Sequence, residues 1–154
     1  MADRMTASDD PKLLVFGTRI EGAQYHYRPS AYAVVRNDKG EFAAAETPHA
    51  CFLIGGGINP GESADETIRR EALEECGLHL VVRSQIGRAM QICYSVADDA
   101  YYEKDSTFME ADVQGSTVAL EHDHRLLWLS APEALTRLSH ESHRWAVESF
   151  LNQM

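Results

Sequence analysis

The sequence predicts an α/β (α+β) fold: a mixed β-sheet with helices packed on both faces. Three observations lead there. Strand-like apolar runs fill the first two thirds of the chain, one sharply bounded helix interrupts them, and two helical segments close it. The 154 residues suit one domain. No repeat, linker or low-complexity stretch divides them, so a single domain is expected over residues 12–154, after a polar, disordered tail at residues 1–11.

The elements follow in order. Residues 12–20 (KLLVFGTRI) read as a first strand. Arg28-Pro29-Ser30 interrupts the next segment, and residues 31–36 (AYAVVR) read as a well-buried strand. Asn37-Asp38-Lys39-Gly40 forms a turn, and residues 41–46 return as a hairpin partner. A short apolar strand at 50–54 (ACFLI) runs into Gly55-Gly56-Gly57, read as a loop. Residues 63–76 have helical periodicity. Residues 78–95 are β-rich, read as two strands broken near Gly87, and 101–113 form another. A last short strand lies at 125–129, before helices at 131–138 and 141–152.

Charge and cysteines narrow the function classes. Lys plus Arg is 14 and Asp plus Glu is 24, a net charge of −10. Such a chain repels nucleic-acid backbones and acidic membrane faces, so neither is an expected bulk partner. A small phosphorylated ligand would need cations between its charges and the protein's. Cys51, Cys76 and Cys93 are odd in number and widely spaced, which fits reduced structural thiols in a cytoplasmic setting. Residues 1–11 lack the apolar core of a signal peptide, and no apolar run approaches membrane-spanning length.

The central helix carries the chemistry. Pro60-Gly61 turns the chain, Ser63 is placed to cap the helix with Glu66 three residues on, and Gly77 follows Cys76 as a left-handed terminator. Ala64, Ile68, Ala72 and Cys76 form the apolar stripe. Glu71, Glu74 and Glu75 share roughly one side, and Glu75 projects within roughly 20° of Ile68, on the buried side. A carboxylate there is costly without a partner, and three together repel one another. Arg70 does not neutralise three acids, whereas a divalent cation such as Mg²⁺ does. The plainer alternative is a solvated acidic face with an Arg70–Glu74 pair.

From Gly56 the chain reads GGINPGESADETIRREALEECGL. This fits G-x5-E-x7-R-E-U-x-E-E-x-G-U, U being bulky or aliphatic, at every fixed position from Gly56 to Leu78. Ala72 is small for its slot. The chance of such a match is on the order of one in a billion per start position. The segment resembles the Nudix box, and the chain is identified as a member of the Nudix hydrolase family, whose architecture is an α/β/α sandwich on a mixed sheet. The resemblance implies Mg²⁺-dependent (or Mn²⁺-dependent) hydrolysis of a diphosphate linkage in a nucleoside diphosphate joined to another moiety. It implies metal ligation by Glu71, Glu74, Glu75 and the Gly56 carbonyl. Glu71 or Glu75 would act as general base, Arg70 would hold the carboxylates, and Glu62 would pin the loop to the helix. It also suggests a homodimer. A Nudix-fold sensor that binds without cleaving is the alternative, but it would be expected to have lost box carboxylates that are present here.

Outside the box, Glu121 lies in ALEHDHRLLWLS, which resembles the family's loop before the last strand, where an extra catalytic acid is often found. No Gly-Lys-Ser/Thr follows the glycine run, so it is not a P-loop. Glu110 and Asp112 are expected on a solvent-facing strand edge. His122, His124, His140 and His143 match no compact zinc spacing and are expected at the surface. Arg28, Arg83, Arg88 and Lys104 are candidates for phosphate contact, with a solvated surface the expectation. The tyrosines and Trp128 and Trp145 are expected in packing roles.

Overall fold

The computed structural model describes residues 13–154; the tail expected at 1–11 lies outside them. Eight strands and three helices follow in the order β1 (Leu14–Phe16), β2 (Tyr25–Val35), β3 (Phe42–Glu46), β4 (Cys51–Phe52), β5 (Ile54–Gly57), α1 (Ala64–Cys76), β6 (Leu78–Ser95), β7 (Ala100–Ser116), β8 (Arg125–Leu129), α2 (Ala131–Arg137) and α3 (Glu141–Asn152). A five-stranded sheet has the order β1-β6-β7-β2-β5, and a three-stranded sheet the order β4-β3-β8. The larger sheet is mixed. β1–β6 and β2–β7 are parallel, while β6–β7 and β2–β5 are antiparallel.

Alternation along β2 assigns the helices to opposite faces. Ala31, Ala33 and Val35 pack with Ile68 and Ala72 of α1, whereas Tyr32 and Val34 pack with Phe108 and with Ala146 and Val147 of α3. Ile68 and Ala72 are wholly buried. Burying Ile68 alone contributes roughly 1.5–3 kcal/mol. Ser63 caps α1 with the full reciprocal bonding to Glu66, and Gly77 ends it at φ 65°. The α+β fold class and the central helix are therefore as the sequence indicates.

Several boundaries differ from expectation. The first strand contracts to three residues because the chain bends at Gly17. β2 runs straight through Pro29. The Pro29 carbonyl accepts from the Ile58 N–H (2.9 Å) on the β5 side, and its imide nitrogen faces that same side. No hydrogen bond to β7 is lost, so the proline is tolerated. The turn at 37–40 forms, with Asn37 N–H donating to the Glu41 carbonyl at 2.9 Å. The expected hairpin does not extend beyond one bridge, Arg36–Phe42. Both edges of β2 are already taken by β7 and β5, so β3 pairs with β4 and β8 instead.

The glycine run is not a loop but strand β5, paired with residues 30–33 of β2. Residues 78–95 form one strand with register irregularities between Val82 and Gly87, not two strands. Gly87 serves packing there: a Cβ would lie 2.7 Å from the Trp145 ring. β7 lies between β6 and β2, so Glu110 is on an interior strand, but the pairing with β2 ends at Ala111 and Asp112 is exposed as expected.

Candidate active site

The site begins where α1 passes the glycine strand at the sheet's edge. Gly56 lies so close to Glu71 that a Cβ would fall 2.9 Å from the Glu71 carboxyl carbon. The Gly55 N–H donates to Glu75 Oε1 at 3.3 Å. Side chains on β5 would block both approaches.

Arg70 organises the acids from behind. Its Nε and Nη2 donate to Glu62 (2.6 and 3.0 Å), and its Nη1 to Glu71 (2.6 Å) and Glu74 (3.3 Å). Nη2 also reaches the Gly57 carbonyl at 3.2 Å, tying helix to strand. Glu62 accepts in addition from the Asn59 N–H and the Thr67 hydroxyl, both at 2.9 Å. Arg70's hydrogen bonds, then the Asn59 amide, pull Glu62 down to about 2. Glu62 is thus a permanent anion spent on structure, and Arg70's five donors suit this forked geometry.

Glu75 is the anomaly. It is 7% exposed, yet among the described residues no Lys or Arg lies within ion-pair distance of it. Its side-chain partners are the Gly55 amide and His124, whose Nε2 is 3.3 Å away. Burial, and then the Glu71 charge, push its carboxyl well above the usual carboxylate range; Glu121 and Glu74 add to this. Burial raises Glu71 as well, against the lowering effect of Arg70.

A loop from β7 closes over the end of α1. Thr117 N–H donates to the Gly77 carbonyl (2.7 Å) and Glu121 N–H to the Glu74 carbonyl (2.8 Å). Only glycine fits at Gly77, where a Cβ would meet the Thr117 carbonyl oxygen at 2.2 Å. These bonds gather Glu121, Asp123 and His124, whose donor atoms lie within 4.8 Å of one another. His124 Nδ1 is 3.1 Å from Asp123 and 3.6 Å from Glu121.

The result is a cleft of about 850 Å³. Gly56, Glu71, Glu75 and Glu121 line it, with Asp123 and His124 beside them. Of the residues anticipated from sequence, Arg70 acts from behind the wall. Glu74 is not among the lining residues, and Arg70 Nη1 donates to it at 3.3 Å. Glu110 and Asp112 are also outside the cleft, Asp112 in an exposed pair with Arg83 at 2.8 Å. Arg88 instead grips Asp105 through two bonds of 2.8 Å.

Sequence reasoning missed Asp123 and His124. Their nearness to Glu121 in EHDH was visible, but that spacing does not show which of the side chains turn inward. The expectation of surface histidines fails at three positions. His124 is only 16% exposed, His143 is wholly buried against Tyr32, and burial pulls His140 down to about 3. His122 alone of the four is exposed. Lys104 is not solvated either: burial lowers its amine, which sits 3.2 Å from His140 Nε2.

The donor set suits a hard divalent cation. It is rich in carboxylate oxygen, one member is almost fully buried without a cationic side chain, and a bare glycine strand makes room beside it. Gly56→Ala tests that room. The added methyl must displace the Glu71 carboxylate, which costs turnover about tenfold or more through misplacement, with little loss of stability. Steady-state kinetics beside thermal unfolding check this.

Comparison with known proteins agrees with the fold. The family model described as NUDIX domain matches residues 26–150. Over 54 residues the chain is 43% identical to an RNA pyrophosphohydrolase of Klebsiella pneumoniae, covering 34% of this chain and 31% of that protein. The match therefore spans under a third of that relative's length. A NUDIX hydrolase from Nitrosomonas europaea superposes with TM-score 0.69 at 18% identity, covering 83% of this chain and 90% of that one. A MutT protein from Methanosarcina mazei Go1 superposes with TM-score 0.60 at 26% identity, covering 84% and 96%.

Proposed function

Because the chain belongs to the Nudix family, we propose that it is a divalent-metal-dependent pyrophosphohydrolase, cleaving a diphosphate linkage in a nucleoside diphosphate joined to another moiety. The observation that carries this reading is Glu75: buried, uncompensated by Lys or Arg among the described residues, and facing Glu71 and Glu121 across one cleft. Glu71 and Glu75 would hold Mg²⁺ or Mn²⁺, with Glu74 and the Gly56 carbonyl as further oxygen donors. When bound, such an ion neutralises phosphoryl oxygens and lowers the pKa of a water.

The chain's own residues do the rest. Arg70 fixes the Glu71 carboxylate so that no reorganisation is needed during reaction. Glu71 or Glu75 would take a proton from the attacking water, or Glu121 would do so from its loop, which is anchored to the end of α1. His124, between Glu75, Glu121 and Asp123, orients the loop acids against the helix. The acidic protein thus meets an acidic substrate through cations.

The test is a substrate panel of nucleoside triphosphates, dinucleoside polyphosphates and nucleotide sugars, with products identified by mass. At least one class should be cleaved within its diphosphate linkage, with activity lost in EDTA and restored by Mg²⁺ or Mn²⁺. Cleavage indifferent to EDTA contradicts the proposal, and no turnover of any member favours a nucleotide-sensing module.

A further inference from the structure

Opposite the acid wall the same cleft has a cationic side that the hydrolase reading does not use. Arg28 of β2 and Lys104 of β7 are in register as parallel neighbours, one strand spacing of about 4.8 Å apart. Both line the cleft. Among the described residues no carboxylate lies within ion-pair distance of either. Lys104 Nζ has His140 Nε2 at 3.2 Å and the Phe52 ring centroid at 5.1 Å, and the Arg28 guanidinium lies 5.2 Å from the centre of the Tyr102 ring.

The two cations stand side by side in a chain of charge −10: Arg28 is open to solvent, while the part-buried Lys104 amine has neutral and aromatic neighbours and, among the described residues, no close anion. Burial pushes the Lys104 amine below its ordinary value; Cys93 and Asp98 oppose this, and the Arg28 charge acts with it. The glycine strand connects the two sides. Gly56 abuts Glu71, while the next residue, Gly57, abuts Arg28, where a Cβ would lie 2.7 Å from Nε. Both sides line one cleft, so a phosphate chain held at the acid wall would have Arg28 and Lys104 along the same lining.

We propose that Arg28 and Lys104 form a subsite for a third phosphoryl group, so that the preferred substrates are compounds bearing a triphosphate rather than diphosphates ending in a neutral sugar. This rests on the hydrolase reading for the placement of the first two phosphoryl groups.

Binding of two non-hydrolysable, base-free probes at fixed free Mg²⁺ tests it by calorimetry: methylenediphosphonate and bis(methylene)triphosphonate. The wild type should bind the three-phosphonate probe about tenfold tighter or more. Lys104→Met should shrink that ratio to about threefold or less, and Lys104→Arg should restore most of it. Arg28→Gln, at an exposed position, carries the test if Lys104→Met does not fold. Equal wild-type affinities overturn the proposal. A ratio unchanged in both variants does so too, as does weakening of both probes by the same factor. The two readings fail separately. A tenfold ratio that depends on Lys104 in a protein that hydrolyses nothing keeps the subsite and removes the hydrolase, and hydrolysis with a flat ratio does the reverse.

Discussion

Glu75→Gln is expected to reduce turnover of any substrate the wild type cleaves by roughly 10²–10⁴-fold, while leaving the metal-free protein folded and, at neutral pH, at least as stable. Glutamine keeps the shape and can still accept from the Gly55 amide, but it brings no charge to a site that is 7% exposed. The stability arm follows from the direction of the shift. The folded carboxyl titrates well above its unfolded value of about 4.3. Between those two values the folded state binds more protons than the unfolded state, so stability falls as pH rises. This contribution is fully present below about pH 4.3 and lost through the folded pKa. Glu71, also raised by burial, acts in the same sense. Glu62, drawn down to about 2, loses its contribution only in strong acid and does not bear on this window. In EDTA, urea unfolding should therefore show a steeper decline from pH 5 to 8 in the wild type than in Glu75→Gln. Parallel profiles contradict the uncompensated burial of Glu75.

Gly55→Ala should produce the largest loss of stability, about 3 kcal/mol or more, or roughly 10 °C in Tm. Gly55 sits at φ +152°, and a Cβ would fall 2.1 Å from the Ala31 carbonyl oxygen and 2.7 Å from Tyr32 Cα. Both obstacles are backbone of the paired strand and cannot rotate away. Gly61 is the control: φ is +84° with nothing within 4 Å, so Gly61→Ala carries only the conformational cost of about 1 kcal/mol. Thermal unfolding of the pair separates the steric cost from the conformational one. Similar Tm values for both would place Gly55 outside the close packing of β5 on β2.

What was legible in the sequence was local. The capping box at Ser63 and Glu66, the left-handed end at Gly77 and the buried-side position of Glu75 each depend on residues within one helix, and the structure has all three. The boundaries of β8 and α3 were legible for the same reason. Failures came where a distant partner decides. Pro29 looks like a break until its carbonyl is seen bonding Ile58 on the β5 side. The turn at 37–40 looks like a hairpin until β7 and β5 occupy both edges of β2. The glycine run looks like a loop until α1 needs a strand without side chains beneath Glu71 and Glu75. His140 and His143 pattern as surface residues of a terminal helix, yet α3 buries them against Phe52 and Tyr32. Asp123 and His124 enter the site through one tertiary bond, Glu121 N–H to the Glu74 carbonyl, which no spacing encodes.

The cation site itself is tested most directly by Mn²⁺ binding, followed by electron paramagnetic resonance in the absence of substrate, for the wild type and Glu75→Gln. Saturable binding is expected in the wild type, weakened at least about tenfold in the variant. Equal affinity in the two proteins, or no saturable binding in the wild type, would contradict the assignment of Glu75 as a ligand.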